Sequence, residues 1–171
     1  MSSEKYPKRK IIRLEGYDYN AEGIYFVTVC TKERKQLFCK INPPTVGTVV
    51  LDGPLVQMTR YGSIVENRLD EMSNFYDDVK LDAYVVMPNH IHLLIRVTED
   101  SNGPSGTTVP TSSKIGRFVG TMKRMTNREI GGNVWQRGSH DVIVRSEEQY
   151  CKIAEYIEHN PRLWLEDRYY Q

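Results

Sequence analysis

The chain has 171 residues, with 23 Lys and Arg against 22 Asp and Glu, and a formal net charge of +1. This length predicts a single domain, and a domain of this size folds without disulfides. A charge so near zero argues against a protein that holds nucleic acid by bulk positive charge. No apolar run has the length of a membrane helix, no signal peptide precedes the domain, and the three cysteines lack CxxC spacing. We therefore expect a cytoplasmic protein.

The first half of the chain predicts one strand and one helix. A basic arm over residues 1–20 leads into a β-branched and aromatic run at 24–30, which is typical of a buried strand. Residues 40–53 are rich in Pro and Gly and predict a loop with a short strand at 48–51. From Pro54 to about Phe75, apolar residues at helical spacing predict an amphipathic helix, with Pro54 in its first turn.

The middle of the chain predicts a hairpin and a second helix. Two apolar strands, 79–87 and 91–97, flank the turn pair Pro88-Asn89, which favours antiparallel pairing. A polar loop over residues 99–113 follows. The next apolar face predicts a helix from Lys114 to about Ile130, ended by two glycines.

The remainder predicts short strands and a last helix. Strand pieces at 134–136 and 141–145 precede a capping-box pattern at 146–149, which begins a helix that ends near Asn160 because Pro161 follows. The resulting order, β–α–β–β–α–β–α, predicts an α+β fold with a ferredoxin-like antiparallel sheet, helices on one face and an extra C-terminal helix. We expect an arm at 1–20, a catalytic domain at 21–161 and a tail at 162–171.

Two histidines are the first candidates for chemistry. In a strand, His90 and His92 project from the same face, about 7 Å apart along the backbone. A pair of imidazoles on one face is suited to a divalent cation, although hydrogen-bonded core or surface histidines are the commoner interpretation of so short a motif. A metal site would need a third ligand.

The last helix offers such a ligand. Tyr156 and Asn160 are four residues apart and share a helix face, so a phenol would lie beside an amide oxygen. The alternative is that Tyr156 is a core aromatic and Asn160 a helix C-cap. His159 is a rival ligand, which faces about 100° away from Asn160.

Four motifs occur in an order that resembles a known family. They are GIYFVTVCT at residues 23–31, YVVMPNHIH at 84–92, VWQR at 134–137 and YIEHNP at 156–161. Together they resemble the REP-associated tyrosine transposases, a branch of the single-tyrosine HUH transposases, and the resemblance covers roughly residues 10–165. Ser139 departs from the Phe or Tyr that the family often has in that loop, which leaves any role of the loop open.

The resemblance implies a ferredoxin-like fold and a DNA-processing activity. It implies that His90, His92 and Asn160 bind Mg²⁺ or Mn²⁺ and that Tyr156 is the nucleophile. The implied substrate is single-stranded DNA with foldback hairpins from palindromic repeats, cleaved and rejoined through a 5′-phosphotyrosine. The protein would act as a monomer or a homodimer.

Positive charge is unevenly distributed, which leaves room for DNA contacts despite the neutral total. Residues 114–145 carry seven basic and two acidic side chains, whereas residues 50–80 carry three basic and six acidic. Basic and aromatic side chains of the arm, the second helix and the loop after it are the candidate DNA contacts: Lys8, Arg9, Lys10, Arg13, Lys114, Arg117, Lys123, Arg124, Arg128, Trp135 and Arg137.

Two other functions compete with a transposase. One is a DNA-hairpin-binding protein that has the fold but no catalytic activity. The other is a metal-dependent hydrolase that uses His90, His92 and His159.

Overall fold

A computed structural model of the chain describes residues 21–42, 55–72, 74–98, 113–167 and 169. The predicted arm at 1–20, the short strand at 48–51 and nearly all of the loop at 99–113 lie outside these residues. The described elements, in chain order, are β1 (Gly23–Cys30), a 3₁₀ turn (Lys32–Arg34), β2 (Cys39–Asn42), β3 (Leu55–Met58), α1 (Arg60–Met72), β4 (Val79–Val86), β5 (His90–Val97), α2 (Lys114–Ile130), β6 (His140–Val144), α3 (Glu147–His159) and a C-terminal 3₁₀ helix (Asn160–Glu166).

The main sheet has the order β4-β5-β1-β6, and every neighbouring pair is antiparallel. The central strand β1 therefore pairs with β5 on one side and with β6 on the other. This is the strand order of a ferredoxin-like plan, so the predicted fold class is confirmed. The predicted hairpin is confirmed as well, since β4 and β5 pair directly across Pro88 and Asn89.

The two faces of the sheet have different partners because alternate residues of a strand point to opposite sides. One face carries Val27, Ile91 and Leu93 and packs against α1 and α2 in the larger apolar core. The other face carries Phe26 and Leu94 and packs against Ile157 and its neighbours on α3. The sheet thus lies between two helical layers, and α3 covers the face to which His90 and His92 belong.

The segment before α1 differs from its prediction. Leu55–Met58 forms a strand that pairs with Cys39–Asn42, and the helix begins only at Arg60. Thr59 fixes this start because its hydroxyl accepts a hydrogen bond from the Gly62 amide and donates to the Leu37 carbonyl. The segment 134–136 also differs, since only Trp135 forms a bridge, with Thr31.

The ends of α2 and α3 follow the predicted capping chemistry. Gly131 ends α2 in the left-handed conformation, with φ of 82°, which glycine adopts without steric cost. Ser146 caps α3 by accepting a hydrogen bond from the Gln149 amide. None of the helices in these described ranges is long and apolar enough to cross a membrane.

Gly62 allows the small β2–β3 ribbon to lie against α1. A Cβ placed at Gly62 would lie 2.0 Å from the backbone oxygen of Phe38, which no side chain could tolerate. We therefore expect Gly62→Ala to lower the free energy of unfolding by about 1–3 kcal/mol, as overpacking does. Urea unfolding would measure it.

Gly120→Ala is the matched control, because a Cβ at this exposed position of α2 meets nothing within 4 Å. That variant should gain about 0.4–1 kcal/mol from reduced entropy of the unfolded chain. Equal free energies of unfolding for the two variants would contradict the close approach between Gly62 and the Phe38 backbone.

Candidate active site

The centre of the site is the pair of histidines at the start of β5. His90 is 0% exposed and His92 is 1% exposed. Their Nε2 atoms are 3.0 Å apart, and the rings meet edge to face with centroids 4.5 Å apart. The predicted placement on one strand face is therefore observed, and both rings are buried rather than displayed to solvent.

The outer nitrogen of each ring has its own hydrogen-bond partner. Nδ1 of His90 lies 2.8 Å from Oδ1 of Asn89, whose amide nitrogen donates to the Tyr169 carbonyl at 2.7 Å. Because that oxygen only accepts, the neutral form of His90 would donate from Nδ1 and present the lone pair of Nε2. Nδ1 of His92 lies 2.9 Å from Oγ1 of Thr28, a hydroxyl that either donates or accepts. The histidine pair therefore accommodates either a shared proton or a cation between the two Nε2 atoms.

Tyr156 of α3 reaches the same point. Its hydroxyl lies 3.4 Å from Nε2 of His92 and 3.5 Å from Oδ2 of Asp167. Phe26 packs between strand and helix, stacked on the His92 ring at 5.0 Å and edge-on to Tyr156 at 6.1 Å. The phenol is thus held beside the histidine pair of its own chain.

Asn160 is completely buried, and neither its Oδ1 nor its Nδ2 has a hydrogen-bond partner among the described residues. An unpaired buried amide is costly, about 1–3 kcal/mol for each group left unsatisfied. Such a side chain is expected where a ligand completes its bonding.

Asp167 is a member of the site that the sequence did not indicate. Its Oδ2 lies 4.0 Å from Nε2 of His90, and one donor atom each from His90, His92 and Asp167 falls within 4.8 Å of the others. Asp167 reaches this position because the C-terminal 3₁₀ helix turns the chain back over the sheet. Tyr169 then lies on His90, with ring centroids 4.6 Å apart, so the predicted tail covers the histidine pair.

These residues fit a divalent cation. Two imidazole nitrogens 3.0 Å apart match an edge of an octahedron with bonds of about 2.1 Å. Their outer nitrogens are fixed by Asn89 and Thr28, the arrangement that orients metal-binding histidines. Oxygen donors are available from Asp167 and from the unpaired Asn160 amide. His159 is not among the His and carboxylate donors that lie together in the described residues, and its Nδ1 bonds to the Glu155 carbonyl of its own helix.

The candidate DNA contacts are only partly as expected. Lys8, Arg9, Lys10 and Arg13 lie outside the described residues, and Arg124 and Arg128 are exposed on α2. Lys114 and Arg117 both bond to Asp78, at 3.3 and 2.9 Å, so their charges are already partnered.

Lys123 and Trp135 serve the fold instead. The Lys123 ammonium donates to the carbonyls of Gln136 and Gly138, at 2.7 and 2.5 Å, and burial lowers its pKa to about 8. Trp135 is 3% exposed, and its indole N–H donates to Thr126 at 2.7 Å. Because the Trp135 ring is enclosed in the core, it presents no open face to DNA bases in this structure.

Comparison with known proteins supports these observations. No protein-family model matches the chain. An uncharacterized protein of Haemophilus influenzae is 34% identical over 178 aligned residues, covering 95% of this chain and 93% of that protein. A solved structure of a REP-associated tyrosine transposase bound to a REP hairpin matches with a TM-score of 0.59 and 18% identity, over 87% of this chain and 73% of that one. The resemblance indicated by the four motifs is therefore confirmed at the level of the fold.

The role of Thr28 leads to a test of the histidine pair. Thr28→Val keeps the shape of the side chain but removes the partner of His92 Nδ1, so we expect Mn²⁺ affinity to fall by about tenfold or more. Titration of Mn²⁺ followed by electron paramagnetic resonance measures the free ion directly. Thr28→Ser keeps the hydroxyl and should bind as the wild type does.

Thr121→Val is the matched control, because it removes a hydroxyl that bonds to Tyr76 on the other helical layer. Its Mn²⁺ affinity should be unchanged. If both Thr→Val variants bind the ion as the wild type does, Thr28 does not orient a metal ligand.

Proposed function

The chain belongs to the same family as the Haemophilus influenzae protein and has the fold of REP-associated tyrosine transposases, and from this premise we propose that it is a DNA transposase. In this proposal it cleaves and rejoins single-stranded DNA at palindromic hairpins through a covalent tyrosine intermediate. The observation that carries it is the Tyr156 hydroxyl, 3.4 Å from the buried histidine pair.

A phosphodiester is an anion, so attack on phosphorus needs a nucleophile and positive charge at the same point. A divalent cation, Mg²⁺ or Mn²⁺, bound by His90, His92 and an oxygen ligand would supply Lewis-acid stabilisation of the developing charge. Neutral imidazoles leave the full ionic charge available to the phosphate. Asn160 is the proposed oxygen ligand, and Asp167 is the second candidate.

The chain's own contribution is to place the phenol. Tyr156 Oη forms the new bond to phosphorus, the bond from phosphorus to the 3′ oxygen breaks, and the phenolic proton leaves the nucleophile. The products are a 5′-phosphotyrosine and a free 3′-OH. Because the phosphodiester bond energy is kept, a 3′-OH can attack the phosphotyrosine and reseal a strand without ATP.

The buried state of the histidines adds a condition. His90 and His92 have essentially no exposed surface, since Trp164 and Tyr169 contribute to their cover. A DNA strand reaches the pair only after the segment from Asn160 to Tyr169 has shifted. The proposed reaction therefore includes a rearrangement of the C-terminal end.

Covalent chemistry at Tyr156 is tested by adduct formation. The protein with Mn²⁺ and a labelled single-stranded palindromic hairpin should give a protein–DNA band that survives denaturing electrophoresis. Tyr156→Phe should abolish the band, because the ring remains but the nucleophilic oxygen is gone. Tyr150→Phe, on the same helix and packed against the apolar face of the sheet, is the matched control and should form the adduct.

The competing functions give different results in the same assay. A hairpin-binding protein without catalytic activity would bind the DNA and form no adduct in any variant. A hydrolase using His159 would cut the DNA in Tyr156→Phe and lose that activity in His159→Ala. Either result would reject the covalent mechanism.

The oxygen ligand is tested separately. We expect Asn160→Ala to lower Mn²⁺ affinity by about tenfold or more. Without metal, Asn160→Ala should unfold at the same temperature as the metal-free wild type or at a higher one, since the amide that is removed makes no hydrogen bond among the described residues. Asp167→Asn keeps the shape of the side chain and tests the carboxylate. If Mn²⁺ affinity falls in Asp167→Asn and not in Asn160→Ala, Asp167 is the third metal ligand and Asn160 is not.

A further inference from the structure

A small polar cavity opens beside the histidine pair. It has a volume of about 170 Å³ and lies between the end of β1, the 3₁₀ turn and the loop before β6. Thr28 and Tyr169 belong both to its wall and to the surroundings of the histidines. The guanidinium groups of Arg34 and Arg137 line it, and His140 adds a titratable ring. The proposed chemistry at Tyr156 uses neither arginine.

The turn that carries Arg34 is strained. Glu33 and Arg34 have φ of 58° and 53°, the left-handed region that residues other than glycine rarely adopt. Two consecutive residues in this conformation persist only where the surroundings enforce it. Here Thr31 donates from its hydroxyl to the carbonyls of Lys35 and Asn89, at 2.8 and 3.0 Å. Asn89 also binds His90, so the strained turn and the histidine pair share one support.

Arg34 lines the cavity, and its guanidinium lies 4.9 Å from the centre of the Tyr169 ring. Strain of this kind is concentrated at sites where a side chain must be held in one place for function.

The opposite wall is also held rigidly. Lys123 donates to the carbonyls of Gln136 and Gly138, which flank Arg137, and the Gln136 amide donates to the Cys30 carbonyl at 2.9 Å. The backbone of Arg137 is therefore fixed although its side chain is exposed. Two cationic side chains consequently face one cavity from two independently fixed segments.

We propose that this cavity binds one unpaired nucleotide of the DNA strand that is cleaved, and that Arg34 and Arg137 hold its phosphate. The proposal rests on the proposed function, because it assigns the nucleotide next to the scissile phosphate to a particular subsite. The cavity volume of about 170 Å³ is close to that of an engineered cavity of about 150 Å³ that holds benzene, so one planar ring fits here. Guanidinium forks suit phosphate oxygens, and once the C-terminal segment has shifted a base can replace the Tyr169 ring beside Arg34.

The chemistry of the walls favours a nucleotide over a free anion. An anion alone would need the two arginines but not a cavity the size of a ring. The side chains of Gln136 and His140 offer hydrogen bonds to the edge of a base, beyond what a phosphate would use. Contact with both the base and the phosphate would fix which phosphate lies at Tyr156, so the subsite would determine the cleavage position.

The test compares affinities for two DNA hairpins, one with single-stranded flanks and one without. The full-length protein is titrated with each fluorescent hairpin while anisotropy is recorded at several salt concentrations. Arg34→Ala and Arg137→Ala should each lower the affinity for the flanked hairpin by about tenfold and reduce its salt slope by about one. Affinity for the blunt hairpin should stay within a factor of about two.

Lys80→Ala is the matched control, since it also removes one positive charge. Lys80 is exposed and lies opposite Arg96 in the β4–β5 register, at the end of β5 that is far from His90. Its affinities for both hairpins should match those of the wild type. Thermal unfolding of each variant verifies that Arg34→Ala is folded, and Arg137→Ala tests the same subsite from an exposed loop.

Abasic substitutions in the flank locate the nucleotide. Removing the base at one position should lower the affinity of the wild type for the flanked hairpin. The same removal should lower the affinity of Arg34→Ala by a smaller factor. Equal behaviour of Arg34→Ala, Arg137→Ala and Lys80→Ala, or equal losses on both hairpins, would overturn the subsite.

The result is separable from the proposed function. If the wild type forms no covalent adduct but binds the flanked hairpin in an Arg34-dependent way, the subsite stands and the transposase activity is rejected. If it forms the adduct without any Arg34 or Arg137 effect, the activity stands and the subsite is rejected. A wild type that binds neither hairpin rejects both.

Discussion

Two imidazole rings without exposed surface face each other at 3.0 Å, and each of their buried nitrogens has to be matched by a partner. This requirement explains much of the arrangement around them. Asn89 ends the β4–β5 turn with its side-chain oxygen directed at His90, while Thr28 is opposite His92 in the β1–β5 register. Among the described residues, Tyr156 and Asp167 also lie near the inner nitrogens, and this arrangement suits a shared proton or a cation between the two rings.

The same strand that presents the histidines also builds the core. Because side chains alternate, Ile91 and Leu93 enter the apolar layer under α1 and α2 whenever His90 and His92 face α3. A slip of one residue in register would move the histidines into that layer and turn the apolar side chains toward α3. The position of the histidine pair is thus stabilised by hydrophobic packing on the opposite face of the sheet.

Much of the fold could be predicted from local patterns, whereas the site could be predicted only in part. The alternation in β5 and the caps at Gly131 and Ser146 are local and were confirmed by the structure. The strand at Leu55–Met58 was missed because its partner lies on β2, beyond a Pro- and Gly-rich segment, and the periodicity of the helix extends into it. Asp167 was missed for a related reason: no spacing along the chain relates it to His90, and only the return of the C-terminal 3₁₀ helix joins them.

The distribution of charge follows the same division into layers. Arg124 and Arg128 are exposed on α2, the helical layer opposite the histidines, and Lys114 and Arg117 share Asp78 as an ion-pair partner. These side chains therefore add little positive potential at the histidine face. The whole chain, with a net charge of +1, does not supply a strong attraction for DNA either. Arg34 and Arg137 instead line the cavity beside the histidines, and backbone hydrogen bonds hold the segments that carry them. An anionic substrate would accordingly be recognised through a few positioned contacts, and its affinity would depend on the shape of the strand more than on its total charge.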